Sequence, residues 1–322
     1  MRNRSFVFKP IYGNGTVSVL LGNGDGTLQK QSDYGVGGTP SNAVAVGDFN
    51  GDGALDLAVG ATVVELSSGF VAILMGNGLG GFGGGTNVGT GYYEIGAATT
   101  ADFNGDGKLD LAVTADDGES SPSVLLTFLG NGSGTFSLSS SQSLAPYPSD
   151  AVVAGDFNGD GILDLVASVF SNGNNYFALG NGNGTFQALQ AFSGSGDSLA
   201  VGDFNRDGRL DLAAGSSYTP GVTILLQQLV PVAALSASSL TFDDQTVGTV
   251  SASQTVTLTN TGSATLSISG MAVTGDFQET NTCGQSVAPL ASCTLTVSFK
   301  PKTQGTLSGT LTIADNAGGS PQ

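Results

Sequence analysis

The chain has no histidine and no tryptophan among its 322 residues, and only two cysteines. Without histidine, a nucleophile activated by an imidazole base cannot be built, which excludes the Ser-His and Cys-His triads. Cys283 and Cys293 form no Cys-x-x-Cys motif and have no histidine partner, so zinc and dithiol redox chemistry are disfavoured. Positive charge is also scarce, at 9 Lys and Arg against 26 Asp and Glu, for a formal net charge of −17. Such a balance opposes binding to nucleic acid or to an anionic membrane surface. No run of 18 apolar residues exists to span a bilayer. Met1-Arg2-Asn3-Arg4-Ser5-Phe6-Val7-Phe8 lacks the apolar core of a signal peptide. Nor does any segment sustain a 3.6-residue apolar period, which sets helical solenoids aside.

What is abundant is glycine, at 51 residues, beside 39% hydrophobic residues arranged in short alternating runs. That combination predicts many tight turns between strands rather than disorder. A nine-residue acidic loop, Asp48-Phe49-Asn50-Gly51-Asp52-Gly53-Ala54-Leu55-Asp56, recurs at Asp102–Asp110, Asp156–Asp164 and Asp203–Asp211. A second motif, a strand running into a glycine turn (Val17 to Gly24), returns at Val71 to Gly78, Val124 to Gly132 and Tyr176 to Gly182. Loop starts are 54, 54 and 47 residues apart, and the glycine turns 54, 54 and 50 apart. Two interleaved motifs with one period define a repeat of two hairpins, the four-strand blade of a β-propeller. Asn-Gly at each hairpin tip predicts a type I′ turn, with positive φ at both central residues.

The array opens on a glycine-turn hairpin with no acidic loop before it. Either that hairpin closes a ring on the final strand, Val222 to Gln227, or earlier blades belong in front of it; the second is favoured. Residues 1–13 are read as a truncated N-terminal segment, with any signal peptide cut away, 14–228 as the repeats and 229–236 as a linker. From 237 to 322 the composition shifts to Ser, Thr and Val. Leu240-Thr241-Phe242, Thr255–Thr259, Leu266–Ile268, Leu295–Phe299 and Leu311–Ile313 read there as strands of an immunoglobulin-like sandwich, one strand short. The fold class expected is all-β: about four propeller blades, then the sandwich. Cys283 and Cys293 lie close enough for a short structural disulfide, which would stabilise by about 2–3 kcal/mol and imply an oxidising compartment. Two buried free thiols are the alternative.

The acidic loops carry the chemistry. Positions 1, 3 and 5 offer side-chain oxygens, position 7 a backbone carbonyl, position 9 a closing carboxylate, and the glycine at position 6 a sharp turn. Hard oxygen donors on a flexible loop suit Ca²⁺. The expected ligands are Asp48, Asn50, Asp52, Ala54 and Asp56; Asp102, Asn104, Asp106, Lys108 and Asp110; Asp156, Asn158, Asp160, Ile162 and Asp164; and Asp203, Asn205, Asp207, Arg209 and Asp211. The loops hold twelve of the acidic residues, so four bound Ca²⁺ would cancel about half the net charge. An EF-hand shares the first half of this pattern but closes with Glu at position 12 between helices. Loop four departs from the rest by placing Arg206 at position 4, where the others have glycine, and is expected to bind most weakly. Lys108 and Arg209 at position 7 need lend only a carbonyl. The aromatic at position 2 (Phe49, Phe103, Phe157, Phe204) is expected to pack between blades.

With these loops, the intervening strand and the Gly-Asn-Gly turn, residues 14–228 resemble FG-GAP/VCBS repeats of the kind found in integrin alpha-subunit propellers and bacterial exported proteins. The resemblance implies a propeller with Ca²⁺ in the acidic loops. Residues 237–322 resemble ASH-like or choice-of-anchor-D immunoglobulin-like domains. Asp276-Phe277, Cys283-Gly284, Ser292-Cys293, Val297-Ser298-Phe299-Lys300-Pro301 and Gly305-Thr306-Leu307-Ser308-Gly309 carry that likeness.

The reading is a non-enzymatic, calcium-stabilised binding or adhesion module at the cell surface or outside the cell, with a protein or glycan ligand. A glycan-cleaving propeller is the alternative from another class. It is disfavoured because most paired aspartates are already engaged as ligands, and Glu65, Glu94 and Glu119 show no spacing that marks a site. A purely structural repeat scaffold is the third reading.

Overall fold

The computed structural model describes residues 6–11, 15–118, 122–144, 149–169, 174–193, 196–216 and 221–322. Two compact units are present: Met1–Phe157 with Gly161–Gln227, and Asn158–Asp160 with Gln228–Gln322.

The first unit is a succession of antiparallel meander sheets, each ordered as the chain runs. The first has three strands, β1 (Phe6–Ile11), β2 (Thr16–Leu21) and β3 (Ser32–Gly35). Three four-stranded blades follow. They are β4 (Thr39–Gly47), β5 (Asp56–Val63), β6 (Ser68–Gly76) and β7 (Phe82–Gly89); β8 (Glu94–Ala101), β9 (Asp110–Asp116), β10 (Val124–Gly130) and β11 (Phe136–Ser143); and β12 (Ala151–Gly155), β13 (Asp164–Ser168), β14 (Asn174–Ala178) and β15 (Gln190–Ser193). A last sheet has β16 (Ser198–Gly202), β17 (Asp211–Gly215) and β18 (Val222–Leu225).

Blade cores lie between sheets. Val17, Val19 and Val36 meet Leu57, Val59 and Phe70 across the first junction. Ala58, Val71 and Ile73 meet Leu111, Val113 and Leu126 across the second. Ala97, Ala112 and Leu125 meet Leu165, Ala167 and Ala178 across the third. Because a blade inside the stack is covered on both faces, its second strand is apolar on both sides. Leu57, Ala58 and Val59 are all fully buried, as are Leu111, Ala112 and Val113. Burying a side chain of Leu size contributes about 1.5–3 kcal/mol, so these contiguous runs hold the blades together.

Several expectations change. Phe6–Ile11 is not a free N-terminal segment: it pairs with β2 from Phe6↔Leu21 to Ile11↔Thr16. The expected hairpin is thereby a three-stranded sheet, and β18 pairs with β17 rather than with it. The array is three full blades flanked by two three-stranded sheets, with no ring closure among the described residues. The glycine turns are wider than two-residue type I′ tips. In the second blade Asn77 N donates to Gly81 O, and Asn77 Oδ1 accepts from Leu79 N and Gly81 N. The positive φ values fall on Gly78 and Gly80, so the asparagine closes the turn through its side chain.

The second unit is a sandwich of two sheets. One is ordered β19-β20-β24-β22, from β19 (Ala233–Leu235), β20 (Gln254–Asn260), β24 (Ser292–Phe299) and β22 (Phe277–Asn281). The other is β23-β21-β25, from β23 (Ser286–Val287), β21 (Leu266–Val273) and β25 (Leu311–Asp315). The expected linker is therefore partly strand, since Ala233–Leu235 pairs with Leu258–Asn260 and its apolar side chains have a sheet to join. Leu240-Thr241-Phe242 is not a strand; Phe242 instead packs against the rings of Phe277 and Phe299. Cys283 and Cys293 are disulfide-bonded and buried beside Leu258, Leu266 and Leu295.

Candidate metal-binding loops

Each acidic loop joins the first and second strands of a sheet: β4 to β5, β8 to β9, β12 to β13 and β16 to β17. The repeat in sequence is thus a repeat in space, with one loop per blade at the same turn. Inside loop one, Asp48 Oδ1 accepts from Gly51 N (2.7 Å) and Asp52 N (3.2 Å), and Oδ2 accepts from Gly53 N (2.8 Å). Asn50 Oδ1 accepts from Asp52 N at 3.0 Å, and Asp52 Oδ1 from Ala54 N at 2.7 Å. Loop two repeats this through Asp102, Asn104 and Asp106. Loop four repeats it through Asp203, Asn205 and Asp207. In loop three, Asp156 Oδ2 accepts from Gly161 N and Asn158 Oδ1 from Asp160 N.

The glycine at position 6 lies at positive φ in every loop: Gly53, Gly107, Gly161 and Gly208, between 81° and 84°. Position 4 needs the same left-handed backbone, with Gly51 at 74° and Gly105 at 73°. Arg206 is forced into it at 63°. A non-glycine residue there costs on the order of 1 kcal/mol, so loop four carries backbone strain besides its extra charge.

Position 9 is a buried backbone clamp. Asp56, Asp110, Asp164 and Asp211 are at most 1% exposed. Asp110 Oδ2 accepts from Phe103 N and Oδ1 from Gly130 N, both at 2.8 Å. Asp56 does the same with Phe49 N and Gly76 N, Asp164 with Phe157 N and Gly180 N, and Asp211 with Phe204 N and Gln227 N. One buried carboxylate thereby ties the start of the loop to the end of the third strand. The approach is so close that a Cβ on Gly130 would overlap Leu109 O. Burial, reinforced by the neighbouring Asp106 and Asp102, pushes the Asp110 carboxyl upward against the lowering effect of its two N–H donors. Asp56 shifts the same way for the same leading reason. The composition of Leu55-Asp56-Leu57 does not mark this side chain as inward-pointing, since Leu55 beside it is 44% exposed.

The position-7 side chains of loops two and four meet the position-5 carboxylates. Lys108 Nζ lies 3.5 Å from Asp106 Oδ2, and an Arg209 guanidinium nitrogen 3.3 Å from Asp207 Oδ2. These cations face a position-5 carboxylate, and the Lys108 N–H and ammonium help hold Asp106 below the usual carboxylate range. The position-2 aromatics separate: Phe49 and Phe103 are buried, Phe157 is half-buried and Phe204 is 47% exposed.

The donor set fits a hard divalent cation in kind, being all oxygen, with Asp at positions 1 and 5 and Asn at 3 on one exposed turn. The position-9 carboxylate spends one lone pair of each oxygen on the backbone and keeps the others. Among the described residues, no three Cys, Asp or Glu side chains converge tightly enough to cage a metal by themselves. Elsewhere, Glu94 and Asp150 are raised first by burial and then by neighbouring carboxylates, Asp116 among them in both cases. No helix among the described residues is long and apolar enough to cross a membrane.

Blades joined face to face, each with its acidic turn, followed by a two-sheet sandwich, define a β-repeat protein with an appended immunoglobulin-like domain. The family model described as "FG-GAP-like repeat" matches residues 6–59, 102–167 and 156–214, just over half of the chain. The chain belongs to that FG-GAP-like repeat family. The model described as "Abnormal spindle-like microcephaly-assoc'd, ASPM-SPD-2-Hydin" (ASH) matches residues 229–322, so its start includes Ala233–Leu235. Comparison with curated protein sequences gives no match.

Proposed function

We propose that the chain is a calcium-stabilised, non-enzymatic binding or adhesion module of the extracellular or cell-surface type, with the sandwich as a spacer. The observation that supports this is the same hydrogen-bonded Asp-x-Asn-x-Asp turn at the same corner of successive blades. Ca²⁺ would be held in loop one by Asp48, Asn50, Asp52, the Ala54 carbonyl and the remaining lone pairs of Asp56. Loops two to four would use their corresponding residues. The ion would supply positive charge that relieves repulsion between the position-1 and position-5 carboxylates. Rigid turns then let the blade surfaces present a fixed face to a protein or glycan.

The test is calorimetric titration with CaCl₂ after EDTA treatment, followed by thermal unfolding with and without the ion. Binding of up to four Ca²⁺ with a rise in Tm supports the reading, and no heat and no shift refute it. Glycan-array binding with and without EDTA then separates a lectin from a protein-binding module. Turnover of a polysaccharide would overturn the non-enzymatic assignment.

A further inference from the structure

In each sheet that carries an acidic loop, a backbone N–H at the end of the third strand meets the buried position-9 carboxylate. The pairs are Gly76 N with Asp56, Gly130 N with Asp110, Gly180 N with Asp164 and Gln227 N with Asp211. The residue just before that N–H is Leu129, Leu179 or Leu226, but Met75 in the first full blade. Leu21 holds the matching place in the first glycine-turn motif. Leucine is the ordinary occupant, and the one thioether stands at the junction between the first two full blades.

At that junction Met75 lies on Gly134 of the following blade's turn. A Cβ on Gly134 would come 1.8 Å from Met75 Cε and 3.3 Å from Sδ, so the methyl end of the side chain fills the space over the glycine. The same neighbouring blade holds the rest of Gly134. Its N–H donates to Phe49 O at 2.9 Å, and its carbonyl accepts from Thr86 Oγ1 at 2.8 Å. Phe49 stands edge-on to Phe136 at 5.4 Å. The next junction repeats the contact without sulfur: Leu129 covers Gly184, whose N–H donates to Phe103 O at 3.1 Å. Met75 Sδ has a further neighbour in loop one. Asn50 Nδ2 donates to it at 3.9 Å and to Asp52 Oδ2 at 2.9 Å. Met75 and Asn50 are both half-buried, within reach of a small oxidant from solvent.

We propose that Met75 is a site of oxidative modification, and that its conversion to the sulfoxide unlatches the junction between the first two full blades. The oxidant is a peroxide. A sulfur lone pair displaces hydroxide from one peroxide oxygen as the O–O bond breaks. The hydroxide takes the proton which that oxygen still carries and leaves as water, so the thioether is oxidised by two electrons and the peroxide reduced by two. The product is bulkier and polar where Gly134 leaves no room, and overpacking of this kind destabilises a contact. Its oxygen also accepts more strongly than the thioether sulfur, which draws Asn50 Nδ2 away from Asp52. Leucine at the matching positions takes up no oxygen, so the response is confined to one junction. None of this requires a bound ion.

Hydrogen peroxide treatment of the full chain tests it, with oxidised residues located by peptide mass spectrometry and amide exchange followed at Gly134 and Gly184. Oxidation of Met75 should speed exchange at Gly134 about tenfold or more, lower Tm, and leave Gly184 under Leu129 at its untreated rate. Methionine sulfoxide reductase should reverse both changes. Met75→Leu should keep the wild-type Tm, since leucine fills this place at the next junction. Its Gly134 exchange should ignore peroxide, although Met1 and Met271 remain oxidisable. Met75→Gln, polar at the same length, should exchange fast at Gly134 with no peroxide added. Oxidation at Met271 that spares Met75 overturns the proposal, as does an oxidised Met75 with unchanged exchange at Gly134. A Met75→Leu variant that responds to peroxide like the wild type also overturns it.

Discussion

Replacing Asp110 by alanine isolates the role of the buried position-9 carboxylate. Its two oxygens satisfy Phe103 N and Gly130 N, both at 2.8 Å, in a place where the side chain is 0% exposed. Truncation leaves two backbone donors with no partner and no water, each costing about 1–3 kcal/mol. Relief of the desolvated carboxylate offsets part of that, leaving a loss of about 2–5 kcal/mol. For a unit of this size a 3 kcal/mol loss lowers Tm by about 6–12 °C. Asp110→Asn should fall between, since its amide oxygen keeps one acceptor while its NH₂ faces the other donor. The assay is urea unfolding followed by far-UV circular dichroism in EDTA, so that any ligand role is silent. Hydrogen exchange at Phe103 and Gly130 should quicken in parallel. If Asp110→Ala unfolds within about 0.5 kcal/mol of wild type in EDTA, the clamp reasoning is wrong, and the residue matters only as a ligand.

Two further outcomes follow from the loops and the carboxylate cluster. Arg206→Gly removes a left-handed non-glycine residue at φ 63° and a positive charge from loop four, so it should raise stability by about 1 kcal/mol and tighten Ca²⁺ binding there; calorimetry showing neither change refutes the strain argument. Asp116 is raised from 3.8, first by burial and then by Asp117, against the Gly118 N–H that lowers it. A folded value above the unfolded one means the native state binds more protons in that window. Stability should therefore rise as pH falls from neutrality toward 3.8 on this group's account, and Asp116→Asn should stabilise at pH 7 and flatten that slope. Melting curves at several pH values check it, and a destabilised Asp116→Asn at pH 7 contradicts it.

Much of this protein was legible locally. The loop positions, the glycine at position 6 and the apolar strands flanking each loop fix a turn between strands, because backbone conformation and donor chemistry are decided within nine residues. Period gave the blade, and β-alternation with the cysteine pair gave the sandwich. The chain alone also placed Phe49 and Phe103 between blades. Other features depend on partners distant in sequence. That Asp110 turns inward rests on Gly130 N, twenty residues away, and no rule of loop composition anticipates it. Phe6–Ile11 became a strand because β2 offered an unpaired edge, and Ala233–Leu235 because β20 did. The fate of Phe204 shows the limit most clearly. Its loop matches the others at positions 1, 2, 3, 5, 6 and 9, yet Phe204 lies exposed because burial requires a sheet packed over it, which nine residues of loop do not specify.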